Sequence, residues 1–105
     1  MSSKNMLYLD MNVKLTSLKG EESEVNLGEV VGDAIAGCGA EQCKGLKPAK
    51  LVGWAMKLSA KESVPLDETD FDALREFVGL LPRLNLLVLA QADACFKAAK
   101  EKKAE

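Results

Sequence analysis

The chain has 105 residues, 16 acidic and 14 basic, for a net charge of −2, and it is 48% hydrophobic and 29% charged. Set against roughly 150 residues for a common domain, this predicts a single globular domain and excludes fibrous and disordered classes. Histidine is absent, which removes imidazole acid–base catalysis, histidine-ligated metal and a histidine pH switch.

The single domain is expected to span residues 1–105, with residues 1–5 as a flexible end. From Leu7 the chain alternates: Leu7, Leu9, Met11, Val13 and Leu15 interleave with Tyr8, Asp10, Asn12 and Lys14. A period of two places the apolar set on one face of a half-buried strand. Lys19-Gly20-Glu21 marks a turn and Glu22 to Asn26 a weaker return strand, so an N-terminal β-hairpin is predicted, with a connection longer than a two-residue turn. Met1 to Asp10 lacks the apolar run of about 7–15 residues and the small-residue cleavage site of a signal peptide. No stretch approaches the ~18 apolar residues of a membrane span. Cys38, Cys43 and Cys95 form an odd set without framework spacing, as reduced thiols do. The expectation is a cytoplasmic protein without a membrane partner.

Asn26 and Glu29 have capping-box spacing, and Leu27, Val30, Val31, Ala34, Ile35 and Cys38 follow at helical intervals. A first helix is predicted over 27–37, stopped by Gly37 and Gly39. A loop through Lys47 leads to Pro48, suited to the first turn of a second helix that ends near Ala60. Its buried side is expected to hold Leu51, Val52, Ala55, Met56, Leu58 and Ser59. Val64-Pro65-Leu66 reads as a short third strand near 63–66, at an edge where proline is tolerated. Asp67 and Thr69, with Asp70 and Asp72, cap a third helix whose apolar face is Phe71, Leu74, Phe77, Val78 and Leu81. Beyond Pro82 a fourth helix is predicted over about 83–102, apolar on nearly all sides in its first half and polar all round from Lys97, with 98–105 as a flexible end. The predicted class is α+β: a hairpin, with a possible third strand, packed with about four helices.

Four patterns invite a chemical reading. Three thiolates at Cys38, Cys43 and Cys95 could hold zinc, but the paired C-x2–4-C spacing of structural zinc sites is missing, and buried or incidental thiols are the expectation. Of the three, Cys43 is the thiol expected to be exposed enough for redox chemistry, with only Lys44 beside it to lower its pKa. Gly28, Gly32, Gly37 and Gly39 fit neither phosphate-loop motif; Gly28, Gly32 and Ala36 instead form a small-residue ridge suited to close helix packing. Asp67, Glu68, Asp70 and Asp72 lack the glycine and glutamate of an EF-hand loop and are explained by a helix start. The predicted catalytic, cofactor-binding and metal-binding sets are all empty.

The second helix carries the most specific surface pattern. Lys50, Trp54, Lys57 and Lys61 fall within a stripe about 60° wide at 100° per residue. Lysines beside the only tryptophan could track phosphates while the ring stacks on a base. The alternative is a tryptophan closing the core edge under lysine stems. The chain has just two arginines, the residue that most often recognises base and phosphate, which favours the alternative. Charge is also segregated: residues 21–41 hold six acids and no base, 42–61 five bases and no acid, and 62–76 six acids against Arg75. Such blocks pair within a monomer, pair between subunits, or steer a charged partner.

The segments Lys14-Leu15-Thr16, Leu18-Lys19-Gly20-Glu21, Leu27-Gly28-Glu29-Val30, Pro65-Leu66-Asp67 and Asp70-Phe71-Asp72-Ala73-Leu74 together resemble small uncharacterised accessory proteins encoded by tailed phages and prophages, over residues 7–90. The resemblance implies a small intracellular accessory protein, in a host cytoplasm, and transfers no catalytic residue. The expected function is therefore a non-enzymatic protein–protein interaction module, self-associating as a homodimer or other homo-oligomer through Leu86, Leu89 and Ala90 of the fourth helix. The alternative is binding of single-stranded nucleic acid or a nucleoprotein through Lys50, Trp54, Lys57 and Lys61.

Overall fold

The computed structural model describes residues 6–39, 43 and 45–104. In chain order the elements are β1 (Leu7–Leu9), β2 (Lys14–Thr16), β3 (Glu22–Asn26), α1 (Leu27–Ala36), α2 (Pro48–Ser59), β4 (Val64–Leu66), α3 (Glu68–Gly79) and α4 (Leu86–Ala104). The class is α+β, with an N-terminal hairpin and four helices. The strands form two separate antiparallel pairs, β1 with β4 and β2 with β3.

The alternating segment from Leu7 to Leu15 is two strands and not one. Asp10 Oδ1 accepts a hydrogen bond from the Asn12 amide at 2.9 Å, and the Val13 amide donates to the Met11 carbonyl at 2.8 Å, a tight turn of the kind an Asx side chain induces. Alternation holds through Met11, fully buried like Leu9, and fails at Val13, which is exposed. The bend aims its carbonyls at the start of α1: Leu27 donates to the Val13 carbonyl at 2.8 Å and Gly28 to that of Met11 at 2.9 Å. Asn26 Oδ1 accepts from the Glu29 amide at 3.2 Å, so three of the four amides that a helix start leaves unpaired are satisfied.

β4 meets β1 in the register Leu7↔Leu66, Tyr8↔Pro65, Leu9↔Val64. The leucines and valine of this pair are buried, while Tyr8 and Pro65 face outward. α1 lies against α2 closely enough that a Cβ on Gly28 would stand 2.6 Å from the Leu58 carbonyl oxygen, and one on Gly32 2.8 Å from that of Ala55. The small-residue ridge is thus realised at Gly28 and Gly32, whereas Ala36 is exposed.

Two expectations about side-chain placement are overturned. On α2 the buried set is Leu51, Trp54, Ala55 and Leu58, while Val52, Met56 and Ser59 face solvent; the buried arc is turned toward Trp54 because flat contact with the glycines of α1 selects Ala55 and Leu58. On α4 the tail expected to be polar all round from Lys97 instead buries Ala99, which extends the stripe of Val88, Ala92 and Phe96, and the helix is drawn to Ala104. That helix also begins later than predicted, at Leu86, where Asn85 Oδ1 accepts from the Val88 amide at 2.9 Å and acts as its cap. α3 starts on Asp67, whose Oδ1 accepts from the Asp70 amide at 2.7 Å. It meets α4 through an edge-to-face contact of Phe71 and Phe96, with ring centroids 5.3 Å apart. Residues 1–5 and 105 lie outside the described residues.

Candidate interaction surfaces

The Gln91 side chain fastens the hairpin to α4. Gln91 Nε2 donates to the Thr16 carbonyl at 2.6 Å, and Gln91 Oε1 accepts from the Thr16 amide at 3.0 Å. The side-chain amide thereby takes the place that a neighbouring strand's peptide group would fill on β2. Beside this clamp, between β1, the hairpin and α4, runs a groove of about 650 Å³. Ala94 and Ala98 of α4 face Tyr8 and Val13 across it, and Asp10, Lys14 and Glu22 supply its charges. Cys95 also lines the groove. Burial, and secondarily the Asp10 carboxylate, push its thiol up to about 11, which keeps it protonated and a poor nucleophile at neutral pH.

The residues expected to mediate self-association lie on α4, on the N-terminal side of the groove-lining Ala94 and Ala98. Leu86 is 83% exposed, Ala90 is exposed, and Leu89 is half-buried against the core. Leu86, Ala90, Ala94 and Ala98 follow one another at intervals of four, so they form one uncharged ridge along the helix. Leu86 and Ala90 of this ridge were expected at a self-association surface from the sequence; Tyr8, Val13, Ala94 and Ala98 were not singled out. The alanine spacing and the outward side of Tyr8 were readable in the sequence; the exposure of Val13, set by the bend after β1, was not.

Along α2, the lysine and tryptophan stripe is assembled differently from its nucleic-acid reading. Trp54 is only 8% exposed, so its ring offers no open face for a base. Lys50 Nζ stands 5.8 Å from the Trp54 ring centroid and 3.0 Å from Asp70 Oδ1, which ties α2 to α3. Lys57 lies 3.8 Å from Glu62, and Lys61 turns the chain out of the helix with φ of 66°. The basic block over 42–61 is thus partly matched by the acidic block that follows it within the same molecule.

The three thiols are divided between two places. Cys38 lies just past α1 and donates to the Ala34 carbonyl at 3.3 Å; burial raises its pKa, Cys43 adds to the rise, and Arg83 opposes it. Cys95 is in the α4 groove, beside Asp10. Lys44, the cation adjoining Cys43 in sequence, lies outside the described residues. Among the described residues, no group of three histidine, cysteine or acidic side chains is placed to hold a metal ion. Asp67, Asp70 and Asp72 are engaged respectively in a helix cap, with Lys50, and with Lys100 at 3.8 Å.

No family model, curated protein or solved structure matches this chain. Among the described residues no helix is long and apolar enough to cross a membrane.

Proposed function

We propose that the chain is a non-enzymatic protein–protein interaction module that self-associates through the solvent side of α4. The observation that carries this reading is Leu86, 83% exposed at the head of an uncharged row that continues through Ala90, Ala94 and Ala98. Two such helices crossing antiparallel between Ala90 and Ala94 bring Leu86 of one copy over Ala98 of the other, a large side chain over a small one. The groove bounded by Tyr8 and Val13 adjoins that contact and enlarges the apolar area available to it. A cytoplasmic accessory protein, of the kind the resemblance to phage-encoded proteins implies, is the setting we infer. Nucleic-acid binding is the weaker reading, because the burial of Trp54 removes its stacking element.

Light scattering at high micromolar concentration tests the proposal. The wild-type chain is expected at the mass of a dimer or higher oligomer, and Leu86→Lys at that of a folded monomer with an unchanged circular dichroism spectrum, since an exposed substitution costs within about 0.5 kcal/mol. A monomeric wild type overturns self-association.

A further inference from the structure

Helix α2 buries Leu51, Trp54, Ala55 and Leu58 and presents no polar side chain in the opposite direction. At 100° per residue, Ala49, Gly53 and Met56 lie within about 30° of the outward pole, with Val52 on their flank. Met56 is 66% exposed and Val52 45%. A surface helix of a globular domain ordinarily places charged and polar residues there. The charges of α2 are gathered along one border instead: Lys50, Lys57 and Lys61 run roughly 70–110° from the pole. No acid occurs anywhere from 42 to 61. The Lys57–Glu62 pair is long, at 3.8 Å, and exposed, so it exchanges readily for another carboxylate. Among the described residues Lys61 has no ion pair.

We propose that this face docks an acidic amphipathic helix of a protein partner, its apolar side laid across Val52, Gly53 and Met56 and its carboxylates along Lys57 and Lys61, while Lys50 stays paired with Asp70. The occupant follows from charge. A second copy presenting the same face would set its own lysines against these, a like-charge arrangement that costs affinity. A nucleic-acid strand would leave Val52 and Met56 against water or phosphate. An acidic helix matches both features at once, the mode in which apolar anchors at i, i+3, i+4 and i+7 enter a partner's apolar surface while rim charges set its orientation. Gly53 assists, because a Cβ there would meet nothing within 4 Å, so the partner's backbone can approach closely. The proposal is independent of self-association through α4.

The test uses the full chain with carbon-13 methionine methyls and a fluorescent helical peptide of about 18 residues, carrying leucines at i, i+3, i+4 and i+7 with glutamates beside them. A peptide with lysine in place of every glutamate, phosphatidylserine vesicles and an oligothymidine strand are the competing probes. The acidic peptide is expected to bind saturably, to shift the Met56 methyl signal, and to lose affinity as salt rises. Met56→Glu and Val52→Glu, both at exposed positions, are expected to weaken it by about tenfold or more with unchanged circular dichroism and unchanged oligomeric mass. The lysine peptide is expected to bind at least about tenfold more weakly. An acidic peptide that fails to bind or leaves Met56 unmoved overturns the proposal. So does equal binding of the lysine peptide, preferential binding of vesicles or oligothymidine through Met56, or conversion of an oligomer to a monomer by Met56→Glu.

Discussion

Helices α1 and α2 both carry glycine, and they use it in opposite ways. On α1, Gly28 and Gly32 face the backbone of α2, where an added Cβ would fall 2.6 and 2.8 Å from carbonyl oxygens. On α2, Gly53 faces open space. The first pair lets two helices approach until main chain meets main chain; the second leaves a shallow place on a surface lined by Val52 and Met56. A small residue in a helix therefore has no fixed meaning. Its meaning is set by the next layer, which closes the α1–α2 seam and is missing from the outer side of α2.

The strongest way to break this comparison is to put a methyl group into the closed seam. Gly28→Ala would bring its Cβ against the Leu58 carbonyl, and also 3.1 Å from the Asn26 Oδ1 that caps α1 and 3.2 Å from the Met11 carbonyl. Neither carbonyl belongs to a side chain that can rotate away. A loss of about 1–3 kcal/mol is expected, read as a fall in melting temperature of about 4–8 °C per kcal/mol. A melting temperature unchanged within a degree would show that the seam is looser than the contact distances require.

That seam was legible in the sequence because three independent signals agreed: glycines at an interval of four, the Asn26 and Glu29 spacing, and the apolar period of Leu27, Val31 and Ile35. Helix starts were readable at Asp67, which caps α3, and at Pro48, the first residue of α2, where residue type carries a backbone preference. The orientation of α2 was not readable. Val52 and Met56 are as apolar as Leu51 and Leu58, so hydropathy could not decide which of two adjacent arcs turns inward; contact with Gly28 and Gly32 decided it. The break between β1 and β2 was hidden similarly, since Asp10 and Asn12 occupy polar positions of a perfect alternation while the Asp10 side chain directs a turn and that of Asn12 accepts from Asn26 Nδ2. Of the candidate surfaces, the exposure of Leu86 could not be separated from that of its apolar neighbours until Leu84 and Val88 were seen to be the buried ones.

The open side of the comparison is sharpened by Gly53→Ala. The backbone there is an ordinary helix interior and nothing stands within 4 Å of the new methyl. Helix propensity alone then favours alanine, and a gain of about 0.5–1 kcal/mol is expected in thermal or urea unfolding. The sign is the informative part. A loss would mean that the outer face of α2 is already covered in solution by another molecule.

A second seam, between α3 and α4, is closed at its edge by charge, and acid should loosen it slightly. Arg75 Nε donates to Asp93 Oδ1 at 2.7 Å and Arg75 Nη2 to Oδ2 at 3.2 Å. The hydrogen bond from Arg75 holds the Asp93 carboxyl below its ordinary range, with burial opposing and the nearby cationic charges assisting. The same bond raises the pKa of Arg75, a group that stays charged throughout the range of a stability measurement. Because the folded carboxyl ionises at lower pH than the unfolded one, whose pKa is about 3.9, its contribution is fully present above roughly pH 5 and is lost as pH falls through the folded value. The pair is exposed to solvent, so its worth is about 0.2–1 kcal/mol and shrinks with salt. Asp93→Asn is expected to unfold at slightly lower urea than the wild type at neutral pH and at the same urea concentration once both are well below pH 3. A difference that stayed constant across that acid range would assign the effect of the substitution to packing at the α3–α4 edge, and the charge closing that edge would have no part in stability.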